Sequence, residues 1–448
     1  MSRNYFDDYK RKLVSAAEAA GIVRSGDWVD YGFCINAANE LDAALAKRKN
    51  ELLDVNIRAC YSLWPHHTLE ADPEGSHFYW HSFHFSSVEQ KYYNNGNLSY
   101  IPMKFYDCPD MIRNDCEPCR VLMLTVGPMD RHGYFSMGIS ASSLMASVEM
   151  AEYVIVEVNE NIPRVHGAGQ EVIHISQIDY VVEGSNPPIP VIPAFEATDV
   201  EKLIAGNVLP SIHDGSCIQL GVGGVPTSIG NMICDSDIHD LGVHTEMYVD
   251  SFMKMAEAGK ISGARKNIDR YRQVMTFALG SPELYDYIDD NPGILAYPVE
   301  YTNNISIIAQ LDNFVSINAC IEVDLYGQVC SETIGHRHIT GTGGQLDFVE
   351  GAYRSKGGQS FICMTSTYNS KNGIVSRIRP TLAPGTIVTD TRSAVHKIAT
   401  EYGVANLKGK NLWQRAEALI SIAHPDFRDD LVQEAEKLNI WRRSNRIN

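Results

Sequence analysis

The chain has 448 residues, 44% of them hydrophobic, and a formal net charge of −17 at pH 7. This length exceeds what one core usually supports, which favours two domains, and the acidic balance argues against nucleic acid as a partner because phosphate backbones are held by basic surfaces. The sequence has neither a signal peptide nor an uncharged apolar stretch of roughly 18–20 residues, so we expect a cytoplasmic protein without a membrane partner.

The first half of the chain predicts alternating helices and strands. Apolar residues recur at helical spacing over residues 6–25, where Ser15 is placed to cap a second short helix over 16–22. Residues 61–98 are rich in His, Tyr, Trp, Ser and Asn, and we expect a polar surface loop with short helices there. The other predicted elements are strands over 28–32, 55–60, 121–126, 135–138 and 153–158, and helices over 37–47 and 140–151.

A proline-rich linker from Asp179 to about Ala197 separates the two halves. We therefore predict one domain over residues 1–190 and a second over 191–448. A weak internal repeat, in which 26–32 lines up with 215–221, supports a duplicated α/β unit, although short glycine-containing strings also match by chance.

The second half continues the same alternation, and its composition is typical of a globular α/β protein. Thr198 and Glu201 have the spacing of a capping box at the start of a helix over 198–209. The other predicted elements are strands over 218–220, 241–243, 273–278, 314–320, 360–364 and 374–378, helices over 227–233, 282–288, 412–422 and 431–438, a helix or strand end over 305–310, and a hairpin turn at 371–373.

The ten cysteines are scattered, and in a chain of this length without an export signal they indicate reduced thiols. Cys116 and Cys119 form a single CxxC pair. A zinc site would need a second pair, or histidines at matching spacing, and neither is evident. We expect no metal site.

The most informative stretch lies between residues 218 and 246. A strand over Ile218–Leu220 runs into Gly221, Gly223 and Gly224 and then into a helix, which exposes backbone N–H groups suited to anions and developing oxyanions. The next strand ends at Glu246, and consecutive strand ends of an open α/β sheet face one crevice. Each feature also has an ordinary explanation, since many strand–helix turns carry glycines without a ligand and most strand-end glutamates are simply solvated.

Three segments together resemble a known family. Residues Ile218–Pro226, Val243–Asp250 and Gly341–Phe348 are similar to the glycine loop, nucleophile segment and second glycine motif of the family I coenzyme A transferases. Within that family the likeness is to the butyryl-CoA:acetate and 4-hydroxybutyrate CoA-transferases, with acetyl-CoA hydrolases further away. The resemblance implies two similar open α/β domains with the active site in the cleft between them, and a homo-oligomer, either dimer or tetramer.

The resemblance also implies the chemistry. Glu246 would attack an acyl-CoA to give a mixed anhydride and CoA thiolate, and the thiolate would then form a glutamyl-CoA thioester while the first acid leaves. An acceptor acid would run these steps in reverse, with ping-pong kinetics. Coenzyme A is then a co-substrate, short-chain carboxylates are the partners, and no permanently bound cofactor is needed.

The same resemblance implies which residues form the site. Glu246 is the nucleophile and the Gln219 amide is a possible oxyanion donor beside the glycine-loop amides. Lys371 and Asn318 have ordinary alternatives as a solvated hairpin lysine and a buried polar strand residue. The expected CoA contacts are Gly221, Val222, Gly223, Gly224, Val225, Asn318, Gly341, Gly343, Gly344 and Lys371.

Several functions remain open at this point. Butyryl-CoA with acetate is the expected substrate pair, and 4-hydroxybutyrate is the alternative acid. A hydrolase would result if water reached the activated intermediate. A non-catalytic acyl-CoA-binding protein would use the glycine loops without Glu246. Assays with and without an acceptor acid would separate these three classes, because only a transferase requires the acid.

Overall fold

The computed structural model describes residues 5–93, 96–192, 196–371 and 373–447. The chain forms two compact units, one of residues 1–192 with 274–302 and the other of residues 193–273 with 303–448. The sequence places 274–302 in the second domain, whereas in the structure this segment packs with the first unit. The predicted linker over 179–197 is wrong at its start, because Tyr180–Glu183 forms a strand of the first unit. Residues 193–195 of the linker and Asn372 of the predicted hairpin turn lie outside the described residues.

The first unit is built on a seven-stranded parallel sheet. Its strand order is β7-β6-β5-β1-β2-β3-β4. All six residues of β5 are buried, as expected for a parallel strand with both faces covered. The strands are β1 Trp28–Phe33, β2 Val55–Cys60, β3 Phe78–Ser82, β4 Leu98–Tyr100, β5 Val121–Val126, β6 Tyr153–Val158 and β7 Tyr180–Glu183.

The helices of the first unit are short. Ser15 caps the second of them through a capping box with Glu18, which confirms the predicted cap. The predicted helix over 140–151 begins only at Leu144, because Ser142 has a left-handed φ of 41° that cannot continue a helix. The helices are Tyr5–Lys12, Ala16–Ala20, Glu40–Ala46, His67–Ala71, Gln90–Tyr93, Cys108–Asn114, Leu144–Met150, Pro282–Ile288 and Val299–Thr302.

The short helices predicted within 61–98 are present as His67–Ala71 and Gln90–Tyr93. The prediction of a polar surface loop there is wrong, because the region supplies strand β3 of the main sheet and the first residue of β4. Phe78 and Trp80 are fully buried and alternate with less buried residues, in the period-two pattern of a strand. The Trp80 indole donates a hydrogen bond to Thr68 Oγ1 at 2.9 Å, and His66 packs on the same ring. Several polar residues of this region, among them His66 and Thr68, are therefore part of the core.

The second unit has a six-stranded sheet in the order β9-β8-β10-β11-β12-β13. The pairings are parallel except for the last, β12 with β13. The chain leaves β8 toward β9 on one side and later adds β10 on the other, and ligands bind open α/β sheets at such a switch point. The strands are β8 Cys217–Leu220, β9 Gly242–Val243, β10 Phe314–Ala319, β11 Gln359–Cys363, β12 Lys397–Thr400 and β13 Gly403–Asn406.

Most helices of the second unit follow the predicted pattern with shifted ends, whereas Asp250–Glu257 and Gln345–Arg354 are not predicted from the sequence. Thr198 and Glu201 form the predicted capping box. The last helix starts at Pro425, six residues before its predicted start at 431, since proline suits the first helical position. The helices are Asp199–Val208, Gly224–Cys234, Asp250–Glu257, Ile305–Ile308, Gln345–Arg354, Leu412–Ser421 and Pro425–Lys437.

Short strands complete both units. In the first unit Tyr134–Ser136 pairs with Val172–His174, and His166–Gly167 pairs with Ile294–Ala296. The predicted strand over 273–278 is split into two short ones. The remaining short strands are Met247–Tyr248, Gln273–Met275, Phe277–Ala278, Glu322–Asp324, Val329–Cys330, Thr333–Ile334, Arg337–His338, Thr367–Ser370, Gly373–Ser376 and Ile378–Arg379.

Candidate active site

Glu246 lies just beyond the carboxyl end of β9, in the second unit, and keeps a small exposed surface. Asn303 Nδ2 donates a hydrogen bond to Glu246 Oε2 at 2.7 Å. The backbone N–H of Gly344 also donates to this carboxylate. The predicted nucleophile is therefore held by two N–H donors from two separate segments of the chain.

Gly344 is fixed as glycine by its distance from this carboxylate. A Cβ added at Gly344 would lie 1.8 Å from Glu246 Oε2 and 2.0 Å from Asn303 Nδ2. Gly344 is also the N-cap of the helix Gln345–Arg354. The Glu246 carboxylate thus sits where the partial positive charge of a helix N-terminus favours an anion.

Burial raises the pKa of Glu246 to about 7, and the hydrogen bonds from Asn303 and Gly344 oppose this rise. Taking a carboxylate out of water disfavours its charged form, whereas donors aimed at it favour that form. A carboxyl group with a pKa near the working pH is available as an anion and is less strongly solvated than a surface glutamate. This combination suits a nucleophile.

Asn303 and Asp347 belong to this cluster, and the sequence analysis did not assign either of them. Asn303 Nδ2 lies 3.3 Å from Asp347 Oδ2, and both residues are fully buried. Asp347 falls within the second glycine motif, which was the available signal. Asn303 follows a short helix and carries no motif of its own.

Gln219 and Asn318 meet each other rather than Glu246 in the contacts of the described residues. Gln219 Nε2 donates to Asn318 Oδ1 at 3.2 Å, and Ser316 Oγ donates to Gln219 Oε1 at 3.0 Å. These side chains lie at the carboxyl ends of the neighbouring strands β8 and β10. The structure brings two predicted site residues together here, and the oxyanion role of Gln219 stays a prediction.

The predicted glycine loop follows β8 directly and leads into the helix Gly224–Cys234. Gly223 has a φ of 119°, which favours glycine, and no atom from elsewhere in the described residues lies within 4 Å of the position of an added Cβ. Val222 is exposed, whereas Gly224 and Val225 are buried. The loop therefore has open space beside its tightest turn, as a ligand loop requires.

The second glycine loop is anchored by buried acids on either side. Thr342 Oγ1 donates to Glu332 Oε2 at 3.1 Å, and Gln345 Nε2 donates to Asp390 Oδ2 at 2.6 Å. Gly343, between them, has a left-handed φ of 56°. These contacts hold the backbone on both sides of Gly344.

Lys371 is exposed at the turn between the paired strands Thr367–Ser370 and Gly373–Ser376. Within the described residues no disulfide joins any of the cysteines. Across the described ranges, no three His, Cys, Asp or Glu side chains are grouped as a metal ion would require. No helix in the described part of the chain has the length and apolar character needed to cross a bilayer.

Comparison with known proteins identifies the family. The acetyl-CoA hydrolase/transferase N-terminal domain matches residues 1–193, and the C-terminal domain of the same family matches residues 280–435. The chain belongs to the acetyl-CoA hydrolase/transferase family. This confirms the resemblance noted from the sequence and the predicted α/β fold.

Individual members of the family match along the whole chain. A probable butyrate:acetyl-CoA coenzyme A-transferase from Syntrophomonas wolfei is 57% identical, over 100% of both chains. The butyryl-CoA:acetate CoA-transferase of Anaerostipes caccae is 52% identical, over 99% of this chain and 100% of its own length. The crystal structure of RipA from Yersinia pestis has a TM-score of 0.90 at 35% identity and covers 98% of this chain and 100% of its own. The protein is an enzyme of the CoA-transferase type, with coenzyme A as co-substrate.

Proposed function

We propose that this family member transfers CoA from butyryl-CoA to acetate through a covalent glutamyl-CoA thioester on Glu246. The observation that carries the proposal is the pair of donors, Asn303 Nδ2 and the Gly344 N–H, on a single half-buried carboxylate. The names of the two relatives above supply the substrate pair. The glycine-loop amides, Asn318 and Lys371 are the proposed contacts for coenzyme A.

The geometry suggests how each carboxylate oxygen is used. The hydrogen bond from Asn303 reaches Oε2, which leaves Oε1 to attack the acyl-CoA carbonyl. The C–S bond then breaks, giving a mixed anhydride and CoA thiolate. When the thiolate attacks the glutamyl carbonyl, negative charge develops on Oε2, which Asn303 already faces, and butyrate then leaves with Oε1. Donors preorganised for a developing oxyanion are among the largest contributions to such reactions.

The substrate assignment is tested by measuring exchange of CoA between butyryl-CoA and a panel of free acids. We expect transfer of CoA from butyryl-CoA to require a free acid. The rate of transfer should be higher with acetate than with 4-hydroxybutyrate. Loss of butyryl-CoA at the same rate without any acid would identify a hydrolase instead. Binding without either reaction would contradict catalysis altogether.

The covalent intermediate is tested by trapping. Incubation with butyryl-CoA followed by borohydride is expected to inactivate the enzyme and to leave a reduced side chain at Glu246 on peptide mapping, since a thioester is reducible and a carboxylate is not. Glu257, an exposed glutamate of the same unit, is the internal control and should stay unmodified. Inactivation that leaves Glu246 intact would contradict the mechanism.

The activity should depend on the ionisation of Glu246. Because only the carboxylate attacks and its pKa is raised to about 7, kcat/KM for butyryl-CoA should fall about tenfold per pH unit below that value. The acid limb of the profile, measured from pH 5.5 to 8.5, reports this group in the free enzyme. In Glu257→Ala the limb should stay in place. A profile that is flat down to pH 5.5 would show that Glu246 titrates as an ordinary glutamate.

Lys371 should contribute to binding but not to the chemical step. Lys371→Ala is expected to raise KM for butyryl-CoA about 3- to 10-fold with kcat unchanged, because an exposed lysine contributes a modest charge interaction with a phosphate. Initial rates at low ionic strength measure this. Lys356, whose side chain is 88% exposed, is the matched control. If Lys356→Ala raises KM as much as Lys371→Ala does, Lys371 contributes only through the general surface charge.

A cytoplasmic location and a homo-oligomeric assembly complete the proposal. Both come from the resemblance and the sequence composition. Light scattering of the purified protein would distinguish a dimer or tetramer from a monomer.

A further inference from the structure

We propose that Asp347 is a positioning residue that fixes the orientation of the Asn303 amide, so that its nitrogen faces Glu246 throughout the reaction. This inference rests on the proposed function, because it assigns a partner to one of the two donors on the nucleophile. It concerns a residue that does not itself need to touch substrate.

The contacts of Asn303 carry the inference. Its Nδ2 group has two hydrogens and two carboxylate neighbours, Glu246 Oε2 at 2.7 Å and Asp347 Oδ2 at 3.3 Å. An ionised carboxylate only accepts hydrogen bonds, so each neighbour requires a nitrogen opposite it. Asn303 Oδ1 is buried and has no hydrogen-bond partner among the described residues. The amide is therefore oriented from its nitrogen side.

The reaction makes this arrangement necessary. In the resting enzyme, two carboxylates hold the amide nitrogen in place. Once Glu246 is an anhydride or a thioester, its charge is gone and it accepts a hydrogen bond less strongly. Asp347 is then the carboxylate that still opposes rotation of the amide. A rotated amide would place Asn303 Oδ1 against the developing oxyanion, turning a stabilising donor into a repulsive acceptor.

A purely structural role for Asp347 predicts different behaviour. Asp347 is the third residue of the helix Gln345–Arg354, where an acidic side chain favours the helix dipole. Its loss would then lower thermal stability without changing how Glu246 titrates or how the enzyme responds to loss of Asn303. The titratable groups that meet at Asn303 are Glu246 and Asp347.

The test compares Asp347→Asn with Asn303→Ala and with the double variant, in the full-length enzyme with butyryl-CoA and acetate. The single Asp347 variant keeps the shape but lets the amide rotate, so kcat should fall about 10-fold or more. The acid limb of kcat/KM should also move to higher pH, because Glu246 loses its donor for part of the time. In the Asn303→Ala background, Asp347→Asn should change kcat by less than about twofold, since the amide it orients is already absent.

Asp324→Asn is the matched control. Asp324 is another buried aspartate of the same unit, which accepts hydrogen bonds from the backbone of Tyr326 and Gln328. It should lower stability without moving the acid limb. If Asp347→Asn does not fold, Asp347→Ser also removes the carboxylate and is tolerated in the first turn of a helix.

Two results would overturn the inference. One is an unchanged pH profile in the folded Asp347 variant, and the other is an equal loss of kcat with and without Asn303. Both differ from failure of the proposed function, which would appear in the wild-type enzyme as absence of the borohydride-reduced side chain at Glu246. If the wild-type enzyme is reduced at Glu246 but the Asp347 variant behaves like the wild type, only the role of Asp347 is rejected.

Discussion

Replacing Glu246 by alanine is expected to lower the rate of CoA exchange between butyryl-CoA and acetate by at least about 10³-fold. The substitution removes the atom that forms the covalent bond, and loss of a nucleophile leaves only the catalysis supplied by binding and oxyanion donors. Glu246→Gln should be almost as inactive, because an amide is a poor nucleophile. The measurement is exchange of labelled acetate into acetyl-CoA.

Glu257→Ala provides the control for removal of a glutamate from the same unit, and it should exchange at the wild-type rate. The Glu246 variants should still fold, since removing a carboxyl group whose pKa is raised by burial relieves an unfavourable interaction above pH 7. Undiminished exchange in a folded Glu246→Ala enzyme would refute the whole mechanism.

Gly344→Ala is expected to lower kcat by at least about 10²-fold. The new methyl group would lie 1.8 Å from Glu246 Oε2, so the carboxylate or the loop has to move, and the N–H donor is displaced with it. Loss of one oxyanion donor in comparable sites reduces the rate by about 10²- to 10³-fold. Steady-state kinetics with butyryl-CoA and acetate measure this effect.

The matched substitution is Gly206→Ala, within the helix Asp199–Val208 of the same unit. An added Cβ there meets no other atom of the part of the chain that the structure describes within 4 Å, and alanine favours a helix by about 1 kcal/mol relative to glycine. That variant should be fully active and slightly more stable. Wild-type kinetics in Gly344→Ala would show that the loop adapts and that its amide is dispensable.

Part of this site was predictable because it depends on local patterns. Residues adjacent in sequence determine the strand–glycine–helix order around Gly223 and the position of Glu246 after the next strand. The capping boxes at Ser15 and Thr198 are likewise local, since each needs a hydroxyl and a glutamate three residues apart. Features of this kind require no knowledge of tertiary packing.

The parts that were not predicted depend on contacts far apart in the chain. Asn303 lies 57 residues from Glu246, and no pattern in its own neighbours marks it as a donor. The sequence of residues 61–98 predicts a surface loop, because histidines and serines are usually exposed to solvent. In the structure several of these polar side chains are buried and bond to neighbours inside the unit, as the hydrogen bond between Trp80 and Thr68 illustrates.

The assignment of 274–302 to the first unit means that the chain passes from one unit to the other three times. A fragment cut at residue 193 would therefore carry away a segment that belongs to the first unit, including the buried side chains of Met275 and Phe277. It would also remove the Ile294–Ala296 strand from its pairing with His166–Gly167. Neither fragment corresponds to one complete folded unit. A version of this enzyme split at residue 193 would therefore expose apolar surface on both fragments.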